Sequence, residues 1–282
     1  MTGTASLAEP NPSRSPFSGP KQFFSTLINR WYLIENLVRR DLKARYSQAS
    51  IGYGWIFLEP LLLSAVYFVL FTMIANRPEE NYALHVIVGV IIWGHFGKTL
   101  QATIGCLSGG AKMMKQVYFP REILAITPVL TQLWITIISL TAVVPVMLYL
   151  GIIPSYSIWM LGIALMLSTM LAMGIGLIFA PINAISKDVT HLFRFLVRSG
   201  FFLSPVMWTY EMMLDRASGF WVDLIMLNPM VIPLTLARYG LDGGALNFEL
   251  WHLLYCVIFS FTVFFFGLTL FKRWEARVIK YL

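Results

Sequence analysis

The chain has 282 residues, 57% of them hydrophobic and only 12% charged, with a net charge of +7. Soluble domains carry about 25% charged residues, so most of this surface does not face water. The Lys and Arg excess suits the cytoplasmic loops of a membrane protein and gives no reason to invoke nucleic acid, and two cysteines, Cys106 and Cys256, are too few for a disulfide framework or a metal site.

Residues 1–20 are rich in Pro, Ser and Gly and lack the apolar core of a signal peptide; they read as a disordered cytoplasmic tail. Residues 21–46 have helical periodicity. Phe24, Leu27, Ile28, Trp31, Ile34, Val38 and Leu42 fall roughly on one face, with Arg30, Arg39, Arg40 and Lys43 mostly away from it. This predicts an interface helix lying on the cytoplasmic surface of the membrane. A transmembrane domain fills 47–282.

Six stretches reach the roughly 20 apolar residues that a crossing helix needs: about 55–75, 83–105, 124–150, 157–181, 192–210 and 249–271. The fold class is therefore all-α integral membrane. Lys and Arg gather before the first stretch, after the second, around Lys187 and at the C-terminus, while acids dominate the opposite linkers. Both termini are thus expected in the cytoplasm. Asp223, Pro229 and Pro233 interrupt a further apolar segment, 220–240. A seventh crossing there would put the basic C-terminus outside, so the segment reads as a re-entrant pair of short helices. Such backbone is tolerated at membrane depth only against protein or a water-filled cavity.

Enzyme motifs are missing from the sequence. "GHFGKT" (94–99) resembles a phosphate-binding loop, but Ile92 stands where that pattern needs Gly, and the stretch lies inside an apolar span. If the protein runs on ATP, another chain binds it with its Mg ion, and no cofactor of this chain is expected. Lys98 reads as a residue that snorkels or lines a polar path. His85, His95, His191 and His252 have no metal-ligand spacing, and no catalytic residue is assigned.

"LSGGAKMMKQVYFPREI" (107–123) is basic and aromatic, and reads as a positive anchor or as a docking element for a cytoplasmic partner. Pro120 and Glu122 suit the start of the following helix. In "RSGFFLSPVMWTYEM" (198–212), Phe201, Phe202, Trp208 and Tyr210 fit either an aromatic belt at the lipid interface or the lining of a sugar path.

Four segments then resemble one family. "RRDLKARYSQASIGYGWIFLEPLL" is similar to its basic R-D-[LI]-K-x-R-Y run followed by L-G-x-x-W-x-x-L-x-P, and "QVYFPREIL" to its V-Y-F-P-R-E-I-L. "NAISKDVTHLFRFLVRSGFFLSPVMW" and "LNPMVIPLTLARYGL" resemble its N-x-x-x-[RK]-D-[VI] and N-P-[LM] segments. The family is the membrane subunit of ABC-2 type polysaccharide exporters, the Wzm-like O-antigen permeases with teichoic-acid and capsule permeases as relatives. Ile51, Tyr53-Gly54 and Glu59 depart from its commoner residues.

The resemblance implies a homodimer in the bacterial inner membrane, paired with two copies of a separate ABC ATPase. The cargo would be a glycan on an undecaprenyl-pyrophosphate lipid. Spans one and five would line the channel, which marks Tyr53, Trp55, Glu59, Phe201, Phe202 and Trp208 as substrate-channel residues. Arg39, Arg40, Lys43 and Arg45 would form the head-group entrance. Lys112, Lys115, Tyr118, Phe119, Arg121 and Glu122 would couple to the ATPase. Gly52 and Gly54 are expected to turn the chain from the membrane surface into the first span. The alternatives are an exporter of teichoic acid, capsule or small lipophiles and a membrane transferase acting on lipid-linked sugars.

Overall fold

The computed structural model describes residues 18–75, 81–110, 120–209, 212–213, 220–243, 246 and 248–278. Among these residues the structure is helical, with no strand. The elements are α1 (Ser18–Asn29), α2 (Trp31–Tyr46), α3 (Trp55–Ala75), α4 (Tyr82–Ile104), α5 (Glu122–Leu140), α6 (Val143–Leu150), α7 (Trp159–Ile185), α8 (Asp188–Leu203), α9 (Phe220–Met226), α10 (Val231–Asp242) and α11 (Leu250–Val278).

The amphipathic segment is two helices rather than one, broken at Arg30, whose ψ of 21 leaves the helical range. α1 lies against α11 so closely that a Cβ on Gly19 would sit 2.7 Å from the Leu268 carbonyl oxygen. α2 lies along α5 and buries Ile34 and Val38. Part of the expected apolar face, including Ile28 and Trp31, stays exposed. The turn into α3 follows the expectation for Gly52, which has a φ of +57 and opens a short 3-10 turn. Pro60 falls in the second turn of α3, and Ser64 donates to its carbonyl at 2.6 Å.

Among the described residues five stretches are long and apolar enough to cross a membrane, Gly52–Leu70, Tyr82–Ile104, Glu122–Leu150, Tyr156–Ile185 and Leu250–Trp274, and the bent pair α9–α10 makes a sixth if it counts as one span. The third is interrupted at Thr141–Ala142, where hydrogen bonds shorten to the i→i+3 type. Pro145, just beyond, has no N–H to donate back across that break.

The stretch read as a span at 192–210 corrects to a shorter helix. α8 has 16 residues, about 24 Å, and carries Arg194 and Arg198. It stops at Ser204 because Pro205 forces the preceding residue into extended backbone. The segment read as re-entrant is a bent pair: α9 and α10 meet at 81° across Asn228-Pro229.

α4 is the central helix, with 78% of its apolar stretch buried against 17% for α3. It packs on α3, α5, α7, α8 and α10. α7 crosses α11 at two glycines: a Cβ on Gly174 would lie 2.7 Å from the Phe264 nitrogen, and one on Gly267 would run into the Gly174 carbonyl. The larger apolar core gathers α4, α7 and α10; a smaller one gathers α1, α2, α5 and α11 at the opposite end.

Candidate functional site

A cleft of about 210 Å³ opens where α3, α4 and α5 meet. Its rim carries an ion pair, Lys98 Nζ to Glu59 Oε1 at 2.7 Å, with both side chains about half exposed. A charged pair on the outer side of a membrane helix is costly against lipid, so this face belongs to water, to protein or to a polar ligand. Leu63 and Tyr67 of α3 and Phe201 of α8 continue the wall, and Tyr67 meets Phe201 ring to ring at 5.0 Å.

The floor is polar. His95 is buried and places Nδ1 2.8 Å from Thr136 Oγ1 of α5 and Nε2 2.8 Å from Thr169 Oγ1 of α7. A neutral imidazole donates at one nitrogen and accepts at the other, so the threonine that accepts from His95 is the one left free to donate to the carbonyl four residues earlier in its own helix, Gln132 for Thr136 or Leu165 for Thr169. One imidazole therefore ties three helices together. Gln132, one turn from Thr136, accepts from Arg45 Nη1 at 3.4 Å. Tyr46 lines the same cleft, and burial raises its phenol above the ordinary value, with Arg45 opposing and Glu59 adding to the rise.

The structure thus joins two groups of expected residues. Glu59, from the channel set, and Arg45, from the entrance set, reach the same cleft through Lys98, Gln132 and Tyr46. Arg39 pairs with Glu35 at 2.7 Å and Arg40 with Asp41 at 3.1 Å; both arginines are exposed, as is Lys43. Tyr53, Trp55 and Phe202 are exposed beside the cleft rather than within it. Trp208 is half-buried and donates Nε1 to the Phe202 carbonyl at 3.2 Å.

In the expected coupling set, Lys112, Lys115, Tyr118 and Phe119 lie outside the described residues. Arg121 is half-buried at the start of α5. Glu122 points into the bundle, where its carboxylate accepts from Lys272 of α11 at 2.7 Å.

A second cluster explains two of the sequence motifs. Arg238 is buried and donates to three backbone carbonyls: His85 at 3.2 Å, Trp208 at 3.2 Å and Val206 at 2.9 Å. Asn228 of the N-P motif donates to Ser204 at 2.8 Å and accepts from the Met230 N–H at 3.0 Å. Tyr82 donates to the Met207 carbonyl at 2.6 Å, and His85 meets Asp242 at 2.5 Å. The non-helical chain after α8 is thereby held by side chains of α4, α10 and the turn before α10. Arg238 belongs to the segment "LNPMVIPLTLARYGL" that carries part of the resemblance, and the sequence assigned its side chain no contact. Nothing local announces that it turns inward; the cue was the run of carbonyls freed by Pro205.

No family model matches the chain. It is 26% identical over 254 residues to the "O-antigen export system permease protein RfbA" of Klebsiella pneumoniae, covering 88% of this chain and 95% of that protein. It is 28% identical over 207 residues to the protein of the same name from Myxococcus xanthus, covering 72% and 77%. To the "Capsule polysaccharide export inner-membrane protein CtrC" of Neisseria meningitidis serogroup B it is 25% identical over 218 residues, covering 70% and 79%. These are transport permeases, which fits a multi-pass inner-membrane transporter subunit and not an enzyme. The resemblance read from the sequence is borne out: the chain is a relative of the ABC-2 type polysaccharide exporter permeases.

Proposed function

We propose that this chain is the transmembrane subunit of an ATP-driven exporter that moves an O-antigen-like glycan, carried on an undecaprenyl-pyrophosphate lipid, out of the cytoplasm. Two copies form the permease, and two copies of a separate ABC ATPase drive it. The observation that carries this reading is the similarity to an O-antigen export permease along 95% of that permease's length.

The cleft supports it chemically. Arg45, Lys98 and Glu59 set one net positive charge at its rim, suited to an anionic head group. The aromatic residues beside it, Tyr53, Trp55, Phe202 and Trp208, offer flat faces to sugars. Such contacts are individually weak, so a long polymer slides past them without being trapped. A capsule polysaccharide is the second reading of the cargo, favoured by the similarity to CtrC.

The test is deletion of the gene followed by complementation, with surface glycan measured by gel and antibody. Loss of surface glycan on deletion, restored by the chain together with its neighbouring ATPase, is the expected result. Undiminished surface glycan in the deletion strain would refute the export role. Co-purification with the ATPase, two copies of each, tests the assembly.

A further inference from the structure

α8 carries a line of basic side chains that the cleft does not use. Lys187 stands at its cytoplasmic cap, and His191, Arg194 and Arg198 follow at steps of four, three and four residues. At about 100° per residue the four fall within about 60° of arc. They form one stripe, and all four are exposed. Phe193 and Val197 turn away from it into the bundle: Phe193 meets Phe179 of α7 ring to ring at 4.7 Å, and a Cβ on Gly97 of α4 would lie 2.6 Å from Val197. Among the described residues none of the four side chains has an ion pair or a hydrogen bond, whereas Arg39, Arg40, Lys98 and Lys272 each have a carboxylate partner.

Depth makes this costly. Trp93, at the midpoint of α4, donates to the Val197 carbonyl at 3.3 Å, and Gly97 packs on the Val197 side chain. Arg198 therefore lies within about 6 Å of that midpoint. Half of a hydrocarbon core is about 15 Å, so the nearest lipid surface is about 9 Å away, farther than the three methylenes of an arginine stem reach. An unpaired guanidinium there needs water and a counter-charge. A second copy brings no spare carboxylate to this depth, since Glu59 is held by Lys98 and Glu122 by Lys272. The head groups of anionic lipids stay at the surface, where they meet Lys187 and not Arg198.

The surroundings of the stripe match a sugar polymer. Phe201 borders it on one side and joins it to the cleft through Tyr67 of α3. Phe195 and Phe202 border it on the other, both exposed. Cations thus run between aromatic faces. The rungs are about 4.5–6 Å apart, well inside the Debye length of about 8 Å at physiological salt. An anion leaving one rung already feels the next, so none has to hold it tightly. A carrier pyrophosphate passes once per polymer and meets Arg45 and Lys98 in the cleft; four rungs in line suit charges that recur.

We propose that the glycan this permease moves is itself acidic, bearing carboxylates or phosphates on its sugars, and that the stripe from Lys187 to Arg198 is the rail along which those charges pass. This rests on the export reading given above and adds the chemical class of the polymer to it.

The experiment uses cells that carry the full chain with its ATPase. Surface glycan from the wild-type strain is freed from its lipid by mild acid and loaded on an anion exchanger at low salt. Retention, with elution by salt, is the expected result. Arg194→Gln with Arg198→Gln should lower surface glycan at least fivefold, at equal membrane level of the chain and equal recovery of the ATPase with it. Arg194→Lys with Arg198→Lys should recover most of that loss, because charge is what the polymer reads. A neutral glycan overturns the proposal and leaves the export reading intact. Unchanged export by the glutamine variant overturns it too, and so does a lysine variant as impaired as the glutamine one. Undiminished surface glycan after deletion of the chain is a different result, since it removes the export reading and this proposal with it.

Discussion

Glu59 projects from the least buried of the long helices, and its only ion-pair partner among the described residues is Lys98 of the neighbouring helix. Removing one member strands the other at membrane depth, where an unpaired charge is expensive. Lys98→Met should therefore reduce both membrane yield and export. The swap of Glu59→Lys with Lys98→Glu should recover much of both, because the pair survives in reverse. Surface glycan normalised to membrane-embedded protein measures this; a swapped variant no better than the single one would show that Lys98 acts alone. Arg238 is a buried cation that donates to three backbone carbonyls. Hydrogen bonds to charged groups contribute about 1.5–3 kcal/mol each, so Arg238→Met should lower thermal stability in detergent markedly. Arg238→Lys should fall between, since it keeps the charge and loses the fork that reaches several carbonyls at once. Equal melting of Arg238→Lys and wild type would mean that the fork is unimportant.

At the level of elements, backbone approach decides what the sequence could announce. α3 was legible to its ends, because a polar collar and a positive-φ glycine at Gly52 bound one continuous apolar run. The bend between α9 and α10 was legible from Pro229, whose ring cannot continue a helix and whose neighbour Asn228 accepts the Met230 N–H in an Asx turn. The early end of α8 was not. Its apolar pattern runs on to Trp208, and only Pro205 marks the stop, a cue outweighed there by hydropathy. The break at Arg30 was not legible either, since α1 packs mainly on α11 and α2 mainly on α5, and that divergence is a tertiary fact. In the site, Glu59 and Arg45 were legible as charges at the edge of a span. His95 was not, because its role depends on threonines 41 and 74 residues away.

The crossing of α7 and α11 gives this argument a test. Gly267→Ala drives a methyl into the Gly174 carbonyl, backbone against backbone, and should spread the two helices. Gly162→Ala, on the same α7, meets open space and should be neutral or slightly stabilising, since alanine favours helix over glycine by about 1 kcal/mol. Thermal unfolding of the two purified variants should therefore move in different directions. Matching shifts would mean that close backbone approach does not hold this pair of helices.

Over the whole molecule, the exposed helices flank the bundle: α3 packs on α4 and α11 packs on α7. Both present apolar side chains outward, but among the described residues the α3 flank adds an exposed charged pair and the mouth of a polar cleft, while the Lys272–Glu122 pair of α11 is turned into the bundle. Lipid is a good solvent for Ile258 and Phe266 of α11 and a poor one for Glu59 and Lys98. The α3 flank is therefore the one that the proposed homodimer should cover, with the cleft opening into the space between copies. The native cysteines, Cys106 and Cys256, are buried and leave the surface free for introduced thiols. Val66→Cys, on the exposed face of α3, should form a disulfide between copies when membranes are treated with a mild oxidant. Ile258→Cys, equally apolar and exposed on α11, should not. Non-reducing gels of the two variants at matched expression read the result directly. Cross-linking through Ile258→Cys in preference to Val66→Cys would place the contact on the α11 flank, and the cleft at α3 would then face lipid with its charges unexplained.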